Sequence, residues 1–389
     1  MKTKKICAVL LACMVMASAF GAGCKKKNES ESSTSDTGIS LSIDPNVTSS
    51  SAVDPSTTTG AGETSANAGT AESSLNLRMT FEDNYDQAAI NEMSKKCTVH
   101  GISYKEFDFN FYYANEYIGV TSSVMANPEM MTQANFINLD YKISDNMTIR
   151  DYLRQTVETD LQGEAFLTAY AAEHNLTLTD ELTKQIDEEI KQAEESAKKY
   201  DMNLEDWLKA YYGPTASQEA LRTALQRYEL ANLAQKHFVE NYQFKNDEDK
   251  LPTVYHVLYM TMDNATGADI PEDQQAEMKK KAETLLASIT SYDDLKTKAE
   301  AAKTAGEAKE VAEYTVQRGE MVQEFEDWCF ADHKEGDTGI VKTKFGYHVM
   351  YYVGKKEASD EQKKNIALTS MSDQLTAAIE SGDYNVVYN

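Results

Sequence analysis

Arg318-Gly319-Glu320-Met321-Val322-Gln323-Glu324-Phe325-Glu326 is the stretch that decides how the C-terminal half is read. It leads into a short helix over Val322–Phe330, and what flanks it is strand. Upstream, Val311–Val316 suits a strand; downstream, strands are expected near Gly339–Thr343 and Tyr347–Val353. Further out, Val254, His256, Leu258 and Met260 share one face of an extended segment, while Tyr255, Val257 and Tyr259 share the other. Pro271 suits the first turn of a helix carrying Met278, Ala282, Leu285, Leu286 and Ile289, and a second helix follows near Asp293–Lys303. The order is therefore strand, two helices, strand, helix, two strands. A last helix is expected over residues 360–380, with an extended end near Tyr384–Tyr388.

Helices dominate before residue 246. Cys97 to Ser103 reads as a short strand, a turn at Gly101 and a polar start to a helix. The aromatic run Phe107, Phe109, Phe111, Tyr112, Tyr113 and Tyr117 is assigned mostly to the core. Thr148 and Asp151 have the spacing of a capping box, and Leu153, Val157 and Leu161 continue one helical face. Leu182, Ile186, Ile190, Ala193 and Ala197 make a second stripe, with acids and lysines opposite. Gly213-Pro214 breaks the pattern, and Ser217 can cap a third helix with Leu221, Ala224, Leu225 and Tyr228 inward.

The N-terminus reads as an address. Lys2, Lys4 and Lys5 precede an apolar run, Ile6 to Phe20, that is short for a membrane span. Gly21-Ala22-Gly23 and Cys24 follow. Residues 24–74, rich in Ser and Thr, bury too little apolar surface to offset their ordering entropy, so a disordered tether is expected. Its stretch 28–74, a coil of about 45 residues, has a root-mean-square reach of roughly 35–40 Å. The net charge of −25 over 389 residues would be repelled by phosphate backbones, so no nucleic-acid partner is expected. The body holds two distant cysteines, Cys97 and Cys329, and no CxxC or Cys/His cluster, so neither a disulfide framework nor a metal site is expected, while a bridge between the two stays open. No stretch reads as a cofactor box, so no cofactor is expected.

Three motifs in order carry a resemblance. Val254-Tyr255-His256-Val257-Leu258, the Arg318–Glu326 stretch, and Lys342-Thr343-Lys344-Phe345-Gly346-Tyr347-His348-Val349-Met350 resemble the first strand, the central signature and the closing hairpin of parvulin-type (PpiC) peptidyl-prolyl isomerases. Val99-His100-Gly101-Ile102-Ser103 with the aromatic helix after it resembles the start of the chaperone module of PrsA- and SurA-like foldases, which a helix following the parvulin domain completes. Residues 1–24 resemble a bacterial lipoprotein signal in which the cysteine is acylated, although Gly21 stands where that family prefers Leu.

These resemblances imply an α+β chain. A signal peptide over 1–23 and the tether over 24–74 would precede a helical SurA-like module over 75–250, completed by 358–389. A parvulin domain over 251–357 would hold a four-stranded antiparallel sheet with helices. They imply an extracytoplasmic folding factor in the cell envelope, lipid-anchored at Cys24, whose partners are unfolded or newly exported polypeptides and their X–Pro segments. By the same resemblance Met321 and Phe325 would floor a proline pocket, Phe345 would add a wall, and His256 and His348 would face each other beneath it as the catalytic pair. Buried structural histidines are the alternative for that pair. X–Pro rotation needs no covalent intermediate, only an apolar grip on the ring while the amide loses its resonance. The loop Ala302–Glu310 departs from the family: no Asp or Cys stands there, and Glu307 is the nearest substitute. A non-catalytic holdase, binding clients with a degenerate domain, therefore stays open beside the isomerase. A solute-binding lipoprotein would instead alternate strands and helices where residues 148–245 read as helix after helix.

Overall fold

The computed structural model describes residues 80–125, 127–263 and 266–389. The expected signal peptide, Cys24 and the tether lie outside the described residues. The first elements are α1 (Phe81–Asn84), α2 (Gln87–Met93), β1 (Cys97–Val99), β2 (Ile102–Tyr104) and α3 (Glu106–Met125). They are followed by β3 (Lys142–Ser144), β4 (Met147–Thr148), α4 (Ile149–Glu173), α5 (Asp180–Lys198), α6 (Leu204–Tyr212) and α7 (Gln218–Glu240). Then come β5 (Lys250–Met260), α8 (Glu272–Ser288), α9 (Tyr292–Thr304), β6 (Glu310–Thr315), α10 (Gln323–Cys329), β7 (Thr338–Thr343) and β8 (Gly346–Glu357). α11 (Asp360–Glu380) and β9 (Val387–Tyr388) end the chain. The described residues divide into two compact units, 80–242 with 367–389, and 243–366.

The first unit is a helical assembly with a small sheet. Thr148 caps α4 through a complete capping box with Asp151, and Thr179, Asn203 and Ser217 cap α5, α6 and α7. The aromatic run of α3 is core: Phe107, Phe109, Phe111, Tyr113 and Tyr117 are buried, and Tyr112 is half-buried. Where a polar helix start was expected after Gly101, the chain makes a second strand instead. His100 and Gly101 take positive φ, 47° and 77°, which folds β2 back on β1 with Cys97 opposite Tyr104. The far edge of β1 is taken by β9, Cys97 opposite Tyr388. Leu368 and Met371 of α11 are buried with Leu167 and Ala171 of α4 and Ala231, Ala234 and Phe238 of α7. Arg227 lies between two buried acids, 2.5 Å from Asp108 and 3.1 Å from Glu164. Cys97 and Cys329 are buried and free.

The second unit is an antiparallel sheet in the order β6-β5-β8-β7, covered on both faces. Central β5 is buried along nearly its whole length, because it serves two cores. Tyr255, Val257 and Tyr259 point to one face and pack with Ala282 and Leu285 of α8 and Leu295 and Ala299 of α9. Val254, with Met350 and Tyr352 of β8, faces Phe325 and Cys329 of the shorter α10. At the β7–β8 turn Gly346 has φ 148°, and a Cβ there would lie 2.2 Å from the Tyr259 carbonyl oxygen. Glycine is what lets the closing hairpin press against β5.

Candidate active site

The site is assembled by register. His256 on β5 sits opposite Met350, and His348 on β8 sits opposite Leu258, so the two histidines are diagonal neighbours on the α10 face. Their Nδ1 atoms are 3.2 Å apart, with ring centroids at 5.3 Å. Phe325 stands edge-on to both rings, 5.2 Å from His256 and 5.3 Å from His348. His348 Nε2 is 2.9 Å from Thr343 Oγ1, and that oxygen accepts the Phe345 N–H at 3.1 Å. His256 and His348 are 2% and 5% exposed.

Burial sets the charge state. Desolvation, with the neighbouring His348 adding to it, pushes the His256 imidazole down to about 3. Desolvation, with the Lys342 charge adding to it, pushes His348 down to about 4. Both rings are neutral at pH 7. One Nδ1 of the facing pair must then carry a proton and the other must accept it.

Of the residues singled out in the sequence, His256, His348 and Phe325 are in mutual contact. Met321 is half-buried against the same apolar cluster. Phe345 is held at the β7–β8 turn by its backbone: its N–H binds Thr343, and its carbonyl accepts the Thr261 N–H at 2.9 Å. Its half-buried ring is outside that cluster. Glu307 does not reach the histidines. It pairs at 3.5 Å with Lys281, on the helix that covers the other face of the sheet. The acid that does approach is Glu310, whose Oε1 lies 3.9 Å from His256 Nε2. Tyr314 donates a hydrogen bond to Glu310, and its ring lies 5.2 Å from that of His256. Sequence reading passed over Glu310, Tyr314 and Thr343. For Glu310 and Tyr314 the signal was the two-residue alternation of β6, which becomes informative only once its register on β5 is known; Thr343 stands in the closing motif, at the end of β7. Among the described residues no three His, Cys, Asp or Glu side chains converge as a metal cage.

The family profile described as Rotamase, PPIC-type PPIASE domain, matches residues 256–354. Residues 256–354 are a PPIC-type rotamase domain. The match begins at His256 and spans Phe325, Thr343 and His348. The Foldase protein PrsA of Exiguobacterium sibiricum is 38% identical over 63 residues, 16% of this chain and 19% of that protein. The chain thus matches about a fifth of the length of this curated relative. Among solved structures, peptidylprolyl isomerase PrsA from Bacillus cereus is 18% identical, covering 64% of this chain and 84% of that one, with a TM-score of 0.28. Its counterpart from Bacillus anthracis is 15% identical, covering 58% and 98%, with a TM-score of 0.26.

Proposed function

We propose that this chain is an extracytoplasmic protein-folding factor whose rotamase domain catalyses cis–trans rotation of X–Pro bonds in unfolded clients. The observation that carries the reading is the pair of neutral, buried imidazoles packed against Phe325 inside the matched domain. Rotation about a peptide bond meets a barrier of about 18–20 kcal/mol, set by amide resonance. The domain lowers it without covalent chemistry. Apolar Phe325 and Met321 hold the proline ring, and the histidine pair keeps the floor beneath it polar but uncharged. Removing the amide from water disfavours its more polar, planar form relative to the twisted one.

The helical unit would hold unfolded segments near this domain. A lipid on Cys24 and the tether after it would keep both at a membrane surface. Cys24→Ser is then expected to release the protein from membranes, and unchanged fractionation would sink the anchor.

A second reading, a holdase without turnover, is favoured by Glu307: the acid named as the substitute for the family's loop residue pairs with Lys281 on the opposite face of the sheet. One experiment separates the two. The purified protein is titrated with a labelled proline peptide while cis–trans exchange of that peptide is measured. Phe325 is 3% exposed, so Phe325→Leu rather than alanine is the variant that keeps the domain folded. With Met321→Ala it should weaken binding roughly tenfold, through loss of about 1–2 kcal/mol of apolar contact. Accelerated exchange supports the isomerase; binding without acceleration supports the holdase. Binding that ignores both substitutions removes the site from this face.

A further inference from the structure

His256 Nε2 is buried and makes no hydrogen bond. Every other ring nitrogen of the facing pair is engaged. What lies beside this orphan nitrogen is set by β6. In the β5–β6 register Glu310, Ala312 and Tyr314 stand opposite Leu258, His256 and Val254. Paired residues share a face, so all three β6 side chains project onto the histidine face. Directly opposite His256 is only the methyl group of Ala312. Glu310 and Tyr314, two residues to either side, close over that gap and bond to each other.

Two neutral rings sharing one Nδ1–Nδ1 bond have two proton arrangements. In one, Thr343 O–H donates to His348 Nε2, His348 Nδ1–H donates to His256 Nδ1, and His256 Nε2 carries the remaining proton. In the other, every proton is reversed and His256 Nε2 presents a lone pair. Two independent features choose between them. The Glu310 carboxylate, 3.9 Å from Nε2, attracts an N–H and repels a lone pair. At the other end, buried Thr343 Oγ1 already accepts the Phe345 N–H and has no further partner among the described residues beyond His348. Its own proton is satisfied only by donation to His348 Nε2.

We propose that Glu310 is a positioning residue that fixes the direction of this chain, from Thr343 through His348 to His256 with its Nε2–H toward Glu310. The carboxylate thereby governs the proton on a ring one strand away and, through it, on a ring two strands away. Tyr314 holds the carboxylate in place. This deepens the isomerase reading and rests on it for its use, but not for its test.

The test reads the ring nitrogens. In the full chain with 15N-labelled histidine, His256 is expected as the Nε2–H tautomer and His348 as the Nδ1–H tautomer at pH 7, each favoured at least about tenfold, or about 1.4 kcal/mol. Glu310→Gln should raise the minor tautomer of both rings together, and Glu310→Asp should restore the wild-type pattern in part. Unchanged melting temperature separates this from unfolding. Tyr314→Phe is a second variant, expected to loosen the preference in the same sense. His256 found as the Nδ1–H tautomer in the wild type overturns the proposal outright. So do ring signals indifferent to Glu310→Gln in a folded protein. Peptide exchange is followed on the same samples: absent exchange with the expected tautomers sinks the isomerase reading and leaves this inference standing.

Discussion

At the scale of the residue, a histidine kept neutral by burial makes stability depend on pH. The folded values, about 3 for His256 and about 4 for His348, lie below the ordinary 6.5. Below pH 6.5 the unfolded chain therefore binds protons that the folded domain refuses. The contribution is complete above pH 6.5 and is lost as pH falls toward the folded values. At pH 5 each histidine should cost the domain roughly 2 kcal/mol relative to neutral pH. Urea titrations at pH 7 and pH 5 measure this, and His348→Gln should remove about half of the difference. Equal pH dependence in the two proteins would place the acid sensitivity elsewhere. The histidines themselves could be read in the sequence, because each stands in a recognisable strand motif. Glu310 could not, since in a chain with 63 acids its distinction is only the register that sets it diagonal to His256.

At the scale of the element, the closing hairpin depends on Gly346. Gly346→Ala drives a methyl group against the Tyr259 carbonyl, a backbone atom that cannot rotate away. A loss of about 2–4 kcal/mol is expected, by strain and by φ. A chemical-denaturation midpoint unchanged in that variant would refute the account. Most elements were legible beforehand for a similar reason: they are signalled locally. The Thr148–Asp151 box, the Ser217 cap and the alternation of β5 need nothing from distant residues. The second strand of the β1–β2 hairpin was not legible. Ile102-Ser103-Tyr104 is extended because β1 lies alongside it, and three residues before a helix carry too short a period to say so.

At the scale of the whole molecule, each unit holds one of the two tryptophans, Trp207 in the helical unit and Trp328 in the rotamase unit. Trp328→Phe and Trp207→Phe variants therefore give each unit its own fluorescence signal. Leu368, buried in the helical unit against α4 and α7, supplies the perturbation. Leu368→Ala should weaken the Trp207 transition by about 2–4 kcal/mol while leaving the Trp328 transition in place. Equal displacement of both transitions would refute independent unfolding. The closure itself was expected, from the resemblance and from an amphipathic helix over 360–380 without a nearby partner; which helices receive it is a matter of packing, which periodicity does not encode.

The pairing of β1 with β9 puts a delay into the birth of the protein. Cys97 leaves the ribosome long before its strand partner Tyr388, with the entire rotamase unit translated in between. The later-made unit has all its strands once residue 357 has emerged and can fold at once. The earlier-made one must wait, with one strand edge and the α4–α7 seam uncovered, until the final residues catch up. Nascent chains arrested before and after residue 367 should differ in protease resistance across residues 80–242, and much less across 243–357.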